Sequence, residues 1–191
     1  RTGKPRVIGI EPASLVTKSL VREVKTDDAG CFQSALNPGL TKIAVIERHK
    51  RTGKLGIGIL EGYGLTGGAI ATTISHDSHN IVVAGDNDPD MLLAVRELAD
   101  MGGGIVSVHG GSIRRLPLPI AGLMTSADPQ EVNAVLHDML VAARAELGIP
   151  EDVEPFMTLS FMALPVIPEL KLTARGLFNV NTFSFVGVEA D

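Results

Sequence analysis

The sequence predicts an α/β or α+β fold, a single domain in which a mixed β-sheet is flanked by helices. Short apolar, β-branched runs bounded by Gly, Pro, Asn and Asp recur along the chain, the usual punctuation of strands. Between them lie two longer segments with apolar residues at helical spacing, each opened by an Asp-Pro pair. At 191 residues, 45% of them hydrophobic, the chain can bury roughly 70% of its unfolded surface.

Residues 1–5 are polar and read as a linker remnant, with the domain running over 6–191. The opening at Arg1 rather than Met suggests a piece of something longer. A strand is expected at 6–10, whereas 14–25 is open between strand and helix. Residues 26–40 read as a loop, with Asp27, Asp28, Gly30 and Asn37-Pro38-Gly39 as turn formers. Strands at 42–47 and 55–60 form a hairpin around the turn 50–54. Residues 67–74 are expected to start a short helix despite their β-branched members, and 81–84 is a strand.

A helix then begins at Asp88, which caps it, with Pro89 in the first helical position. Met91, Leu92, Val95, Leu98 and Ala99 form its apolar face, and Gly102, Gly103 and Gly104 end it. Residues 105–108 and 113–116 pair around His109-Gly-Gly-Ser112. The clearest helix covers 128–147: Asp128 and Glu131 have capping-box spacing, and Val132, Val135, Leu136, Met139, Ala143 and Leu147 make the buried stripe. Gly148 and Pro150 stop it. The tail holds short apolar segments at 156–164, 166–167, 170–172 and 183–188, and Pro165 and Pro168 rule out one continuous element there.

Composition excludes several functions. A net charge of −5 leaves no basic stripe for phosphates, and one Tyr, six Phe and no Trp give no base-stacking platform. No nucleic-acid partner is expected. No apolar run approaches the ~20 residues that span a bilayer, so no membrane is expected either. The single cysteine, Cys31, excludes an internal disulfide and fits a reducing cytoplasm. No signal peptide is visible.

The densest chemistry lies in Ser75-His76-Asp77-Ser78-His79-Asn80, which runs directly into the apolar 81–85 segment. Burying so many hydrogen-bonding groups costs free energy unless each finds a partner. The cluster is therefore a satisfied polar network or part of a site, and His76, Asp77, His79 and Asn80 are its candidate catalytic residues. His76 and His79 have HxxH spacing, and a third metal ligand would have to be Asp77, Glu47, His49 or Asp86. A zinc nucleobase deaminase needs H-x-E followed by P-C-x-x-C, which one cysteine cannot supply. Glu47 and His49 at a strand end, and Asp86 after the 81–84 strand, are candidate substrate-binding residues. Gly62, Gly64 and Gly67 fit G-x-G-x-x-G, with Asp86 where a ribose-binding acid would sit, which leaves a nucleotide-binding reading open. The paired prolines in 116–120 and 164–168 are compatible with docking another domain or with buried connections.

With these residues laid out, the chain resembles the C-terminal domain of adenine deaminase, a member of the amidohydrolase superfamily. The resemblance runs from about Arg6 to Val188. It rests on Lys42-Ile-Ala-Val-Ile-Glu-Arg-His49, Gly68-Ala-Ile-Ala-Thr-Thr73, Ser75-His-Asp-Ser-His-Asn80 and Gly103-Gly104. It continues through Leu116-Pro-Leu-Pro-Ile-Ala-Gly-Leu-Met124, Pro155-Phe-Met-Thr-Leu-Ser-Phe161 and Leu164-Pro-Val-Ile-Pro-Glu-Leu-Lys-Leu-Thr173. Ala174 and Asn179 stand where many relatives would carry Asp. The resemblance implies a parent enzyme that hydrolyses adenine to hypoxanthine and ammonia. It also implies that divalent metal, manganese or iron, is held by an N-terminal barrel, so that this chain binds no cofactor or metal of its own. The implied partners are that barrel, adenine in the full enzyme, and further copies in a homo-oligomer. A non-catalytic assembly module is the alternative.

Overall fold

The structure, a computed structural model, describes residues 2–190. Its strands are β1 (Thr2–Gly3), β2 (Arg6–Ile10), β3 (Thr17–Val21), β4 (Val24–Lys25), β5 (Leu40–Ile46), β6 (Leu55–Glu61), β7 (Gly68–Thr72), β8 (Ile81–Gly85), β9 (Gly104–His109), β10 (Ser112–Pro117), β11 (Leu170–Thr173), β12 (Gly176–Asn179) and β13 (Ser184–Phe185). The helices are α1 (Asp88–Asp100), α2 (Pro129–Ala145) and α3 (Pro155–Phe161). The expected mixed sheet flanked by helices is present.

The main sheet has eight strands in the order β10-β9-β7-β8-β5-β6-β2-β3. Every neighbouring pair is antiparallel except β2 with β6. Residues 1–5, expected as a linker remnant, join the fold as far as they are described: β1 pairs with β4, and Pro5 bridges to Glu189. The ambiguous 14–25 stretch resolves into β3 and β4. The strand β12 went unforeseen, because Gly176 and Asn179 bound only two apolar residues between them.

The segment 68–74 is not a helix. Residues 68–72 form β7, which lies between β9 and β8 and is buried along its whole length. Alanine favours helices, but here the small side chains serve close packing of a helix on the sheet. Ala69 and Ala71 lie with Met91, Ala94 and Leu98 of α1 in one apolar cluster. Alternation sends Ile70 to the opposite face, into the larger core with Met139 and Ala143 of α2 and Phe156 and Leu159 of α3. The sheet is thus the middle of three layers.

Helix α1 is capped by Asn87, whose side chain accepts the Asp90 N–H, and not by Asp88. Leu92 and Ala99 point outward, and Ala94 takes their place in the buried face. Helix α2 keeps the expected cap, with Asp128 accepting the Gln130 N–H, although Val135 is exposed.

Lys171 is the one charged side chain that is fully buried among the described residues. Its Nζ donates to the Leu15 carbonyl at 2.9 Å, and burial lowers its pKa from 10.5 to about 8. Between about pH 8 and pH 10.5 the unfolded chain therefore holds a proton that the folded chain has released, and stability rises with pH across that window. The thermal midpoint should climb between pH 8 and 10, and Lys171→Met should flatten the climb. Calorimetry across that range is the check.

Candidate functional site

The site candidates meet where β7 and β8 are joined. Thr72 pairs with Val82, and residues 73–80 form the connection between two fully buried central strands. A polar loop there must have its backbone groups satisfied, and neighbouring elements do this. The Thr73 N–H donates to the Gly104 carbonyl, His76 N–H to Ser160 of α3, and His79 N–H to Ser75.

The tail of β5 holds the other side. Arg48 Nε donates to the His79 carbonyl at 2.6 Å and Nη2 to the Ala121 carbonyl at 2.6 Å. The Arg48 backbone N–H reaches the Asn80 side-chain oxygen at 3.4 Å. His49 Nε2 lies 2.8 Å from the Ser78 carbonyl, which makes Nε2 the protonated nitrogen. Thr73 Oγ1 donates to the Gly122 carbonyl and accepts the Gly104 N–H, which ties in the loop after β10.

Side chains within the loop are far less committed than its backbone. The His76 ring packs on Phe161 with centroids 4.5 Å apart, and the His79 ring meets it edge-on at 6.2 Å. Ser75 Oγ and His79 Nδ1 are buried without a hydrogen-bond partner among the described residues. Asp77 is exposed and bonds to neither imidazole, so it does not orient one here. Asn80 is buried and holds Arg48. His76 also lines a cleft of about 420 Å³ between α2 and α3, walled by Ile74, Leu136, Phe156, Met157 and Phe161. Glu154 is the other titratable group on that wall. Burial pushes its carboxyl above the usual range, against a hydrogen bond from the Met157 N–H that lowers it. Glu154 and Phe161 escaped the sequence reading. Both lie in short tail segments without periodicity, and Glu154 caps α3 in the manner of an ordinary structural residue.

The three weaker candidates are occupied by structural work. The Glu47 carboxylate accepts from the backbone N–H groups of His49, Lys50 and Thr52 and from the Thr52 hydroxyl. Those bonds lower its pKa from 4.5 to about 2, the Thr52 N–H contributing most. Asp86 accepts the backbone N–H groups of Gly67 and Gly68. That also answers the glycine pattern at 62–67: a strand follows it and not a helix, and its final amides already bind an internal carboxylate. A dinucleotide pyrophosphate would need the helix N-terminus that is missing. Gly64, at φ +77°, is required because a Cβ there would lie 2.5 Å from Pro150 Cδ. Tyr63 inside the pattern is fully buried and donates to the Pro155 carbonyl at 2.9 Å, anchoring α3.

No three His, Cys, Asp or Glu side chains converge as a metal-binding group among the described residues. With Glu47, His49 and Asp86 engaged elsewhere and Asp77 exposed, the HxxH pair has no third ligand among the described residues. These residues do not fit a metal centre.

The fold is a mixed sheet with helices on both faces, and its central connection carries two histidines, one of them lining a cleft. The chain belongs to the adenine deaminase C-terminal domain family, whose family model matches residues 14–184. It is 60% identical over 188 residues to the adenine deaminase of Nitratidesulfovibrio vulgaris strain Hildenborough, covering 98% of this chain and 32% of that relative. It is 48% identical over 189 residues to adenine deaminase 2 of Carboxydothermus hydrogenoformans, covering 98% of this chain and 33% of the relative. The Clostridium acetobutylicum adenine deaminase is 46% identical over 181 residues, covering 94% and 32%. The chain thus spans about a third of the length of the curated relatives it matches.

The Glu47 turn gives an acid signature. Its stabilising bonds are fully present above its unfolded pKa of 4.5 and are lost as pH falls toward about 2. Glu47→Gln should lower stability at neutral pH and shrink the loss between pH 4.5 and 2. Circular dichroism during acid titration measures both.

Proposed function

We propose that this chain is the C-terminal part of an adenine deaminase, which hydrolyses adenine to hypoxanthine and ammonia, and that loop 75–80 completes or caps the active site of a metal-bearing N-terminal barrel. The observation that carries the first part is 60% identity across 98% of the chain to an adenine deaminase three times as long. For the second part, the support is chemical. His76 and His79 each sit half-buried on a loop fixed by its backbone. The His79 Nδ1 and Ser75 Oγ atoms have no hydrogen-bond partner among the described residues. An imidazole in that position suits proton transfer to or from a purine nitrogen, and Asn80 holds the loop through Arg48. The divalent metal implied by the family resemblance, manganese or iron, belongs to the barrel.

Two further features concern assembly and location. Leu55 and Ile57 of β6 and Leu92 of α1 are about half exposed around a groove that Ile46 and Val95 also line. That apolar patch favours a homo-oligomer. The exposed free thiol of Cys31 and the absence of a helix long and apolar enough to cross a membrane, among the described residues, suit a cytoplasmic enzyme.

In the full-length enzyme, His76→Ala and His79→Ala should each lower kcat/KM for adenine by about 10²-fold or more, the range for a lost proton-transfer group, with unchanged folding. Activity within twofold of the parent enzyme in both variants sinks the capping role. The 191-residue chain alone should not turn over adenine when supplied with manganese or iron. If the apolar patch joins copies, Ile57→Asp should reduce the mass measured by light scattering.

A further inference from the structure

Two residues in this region adopt left-handed backbone conformations without being glycine: His79 at φ +47° and Ala121 at φ +58°. Side chains with a Cβ resist that conformation, and it persists only where surrounding contacts over-determine it. The carbonyls of these two residues are the two held by the Arg48 guanidinium, each at 2.6 Å. One planar fork therefore fixes two strained positions that lie 42 residues apart in sequence.

The surroundings fit this single role. Arg48 makes no ion pair among the described residues, and burial alone shifts its pKa down. Its side chain passes over Gly122, at φ +74°, where a Cβ would lie 2.7 Å from Nη2. Gly122 is also the residue whose carbonyl takes the Thr73 hydroxyl. The Arg48 N–H meets Asn80 and the adjacent His49 ring meets Ser78. Loop 75–80 and loop 118–124 are thus locked to each other through one side chain. Ile120 and Met124 are exposed on the second loop.

We propose that Arg48 is the positioning residue of this enzyme's accessory domain: it couples loop 75–80 to loop 118–124 and sets the direction of the His79 imidazole. This rests on the reading that loop 75–80 serves the deaminase site. Arg48 touches no reacting atom and acts through the carbonyls of His79 and Ala121. Lysine cannot replace it, because an ammonium lacks the fork that spans two acceptors.

The experiment uses the full-length enzyme carrying Arg48→Ala or Arg48→Lys. Both should lower kcat at least tenfold with a smaller change in KM, and guanidinium chloride at millimolar concentration should restore part of the kcat of Arg48→Ala only. Hydrogen exchange should show the bonded amides of His76, His79, Leu123 and Met124 losing protection together in the variants. If Arg48→Ala fails to fold, Arg48→Lys decides by the same measures. A folded variant with kcat within twofold of the parent, or loss of protection confined to one loop, overturns the proposal. The two readings separate cleanly: if His76→Ala and His79→Ala leave activity intact while the two loops still loosen together, the coupling stands and the catalytic reading of the loop fails.

Discussion

The site end of this domain depends on one constraint, the hydrogen-bond needs of a loop between two strands buried on both faces. β7 and β8 offer that loop no solvent beneath it, so each backbone group must find a partner or cost about 1–3 kcal/mol. The partners come from elements far away in sequence: Ser160 at the end of α3, Gly104 at the start of β9, and the Arg48 and His49 side chains beyond β5. Four parts of the chain are thereby drawn to one point. The close approach of α1 supports this from the other side of the sheet. At Gly85, the last residue of β8, a Cβ would sit 2.5 Å from Met91 Cγ, so strand and helix are packed without slack. A loop held by its own backbone leaves its side chains available.

The same physics explains why the glycine pattern misleads. Successive amides turned toward one point make an anion site wherever they occur. In a dinucleotide fold the anion is a pyrophosphate at a helix N-terminus. Here the amides of Gly67 and Gly68 face Asp86 across the β7–β8 pair, and the anion is part of the protein. A spacing rule reads the amides and is silent about who supplies the charge.

Much of the fold was legible because local chemistry and tertiary demand agreed. Asp128-Pro129 started α2 where expected, the turn at 50–54 joined β5 and β6, and Gly102, Gly103 and Gly104 closed α1 at positive φ. The failures came where they disagreed. Gly68-Ala-Ile-Ala-Thr has helix-forming alanines that exist to admit α1 against the sheet, a reason visible only once α1 is docked. Loop 75–80 announced itself by polarity, yet the roles inside it did not follow. Asp77, the obvious partner for an imidazole, faces solvent, and Asn80 is spent on holding Arg48. Arg48 lies between Glu47 and His49, yet nothing in the sequence marks it, since a lone arginine has no sequence partner when its acceptors are backbone carbonyls.

What remains is the cost of Ser75 Oγ and His79 Nδ1. Each is a buried polar atom without a partner among the described residues, and such atoms are uncommon in native proteins. A purely structural loop would gain by replacing Ser75 with Ala and His79 with a smaller residue. The left-handed backbone at 79 sharpens the point, since glycine would sit there without strain, and Arg48 is engaged to hold a histidine instead. Strain and unmet hydrogen bonds at one residue are the pattern expected where a side chain is kept for use and the fold bears the cost. Nothing among the described residues relieves either atom, so the fold bears the cost of both at the one loop that joins its central strands.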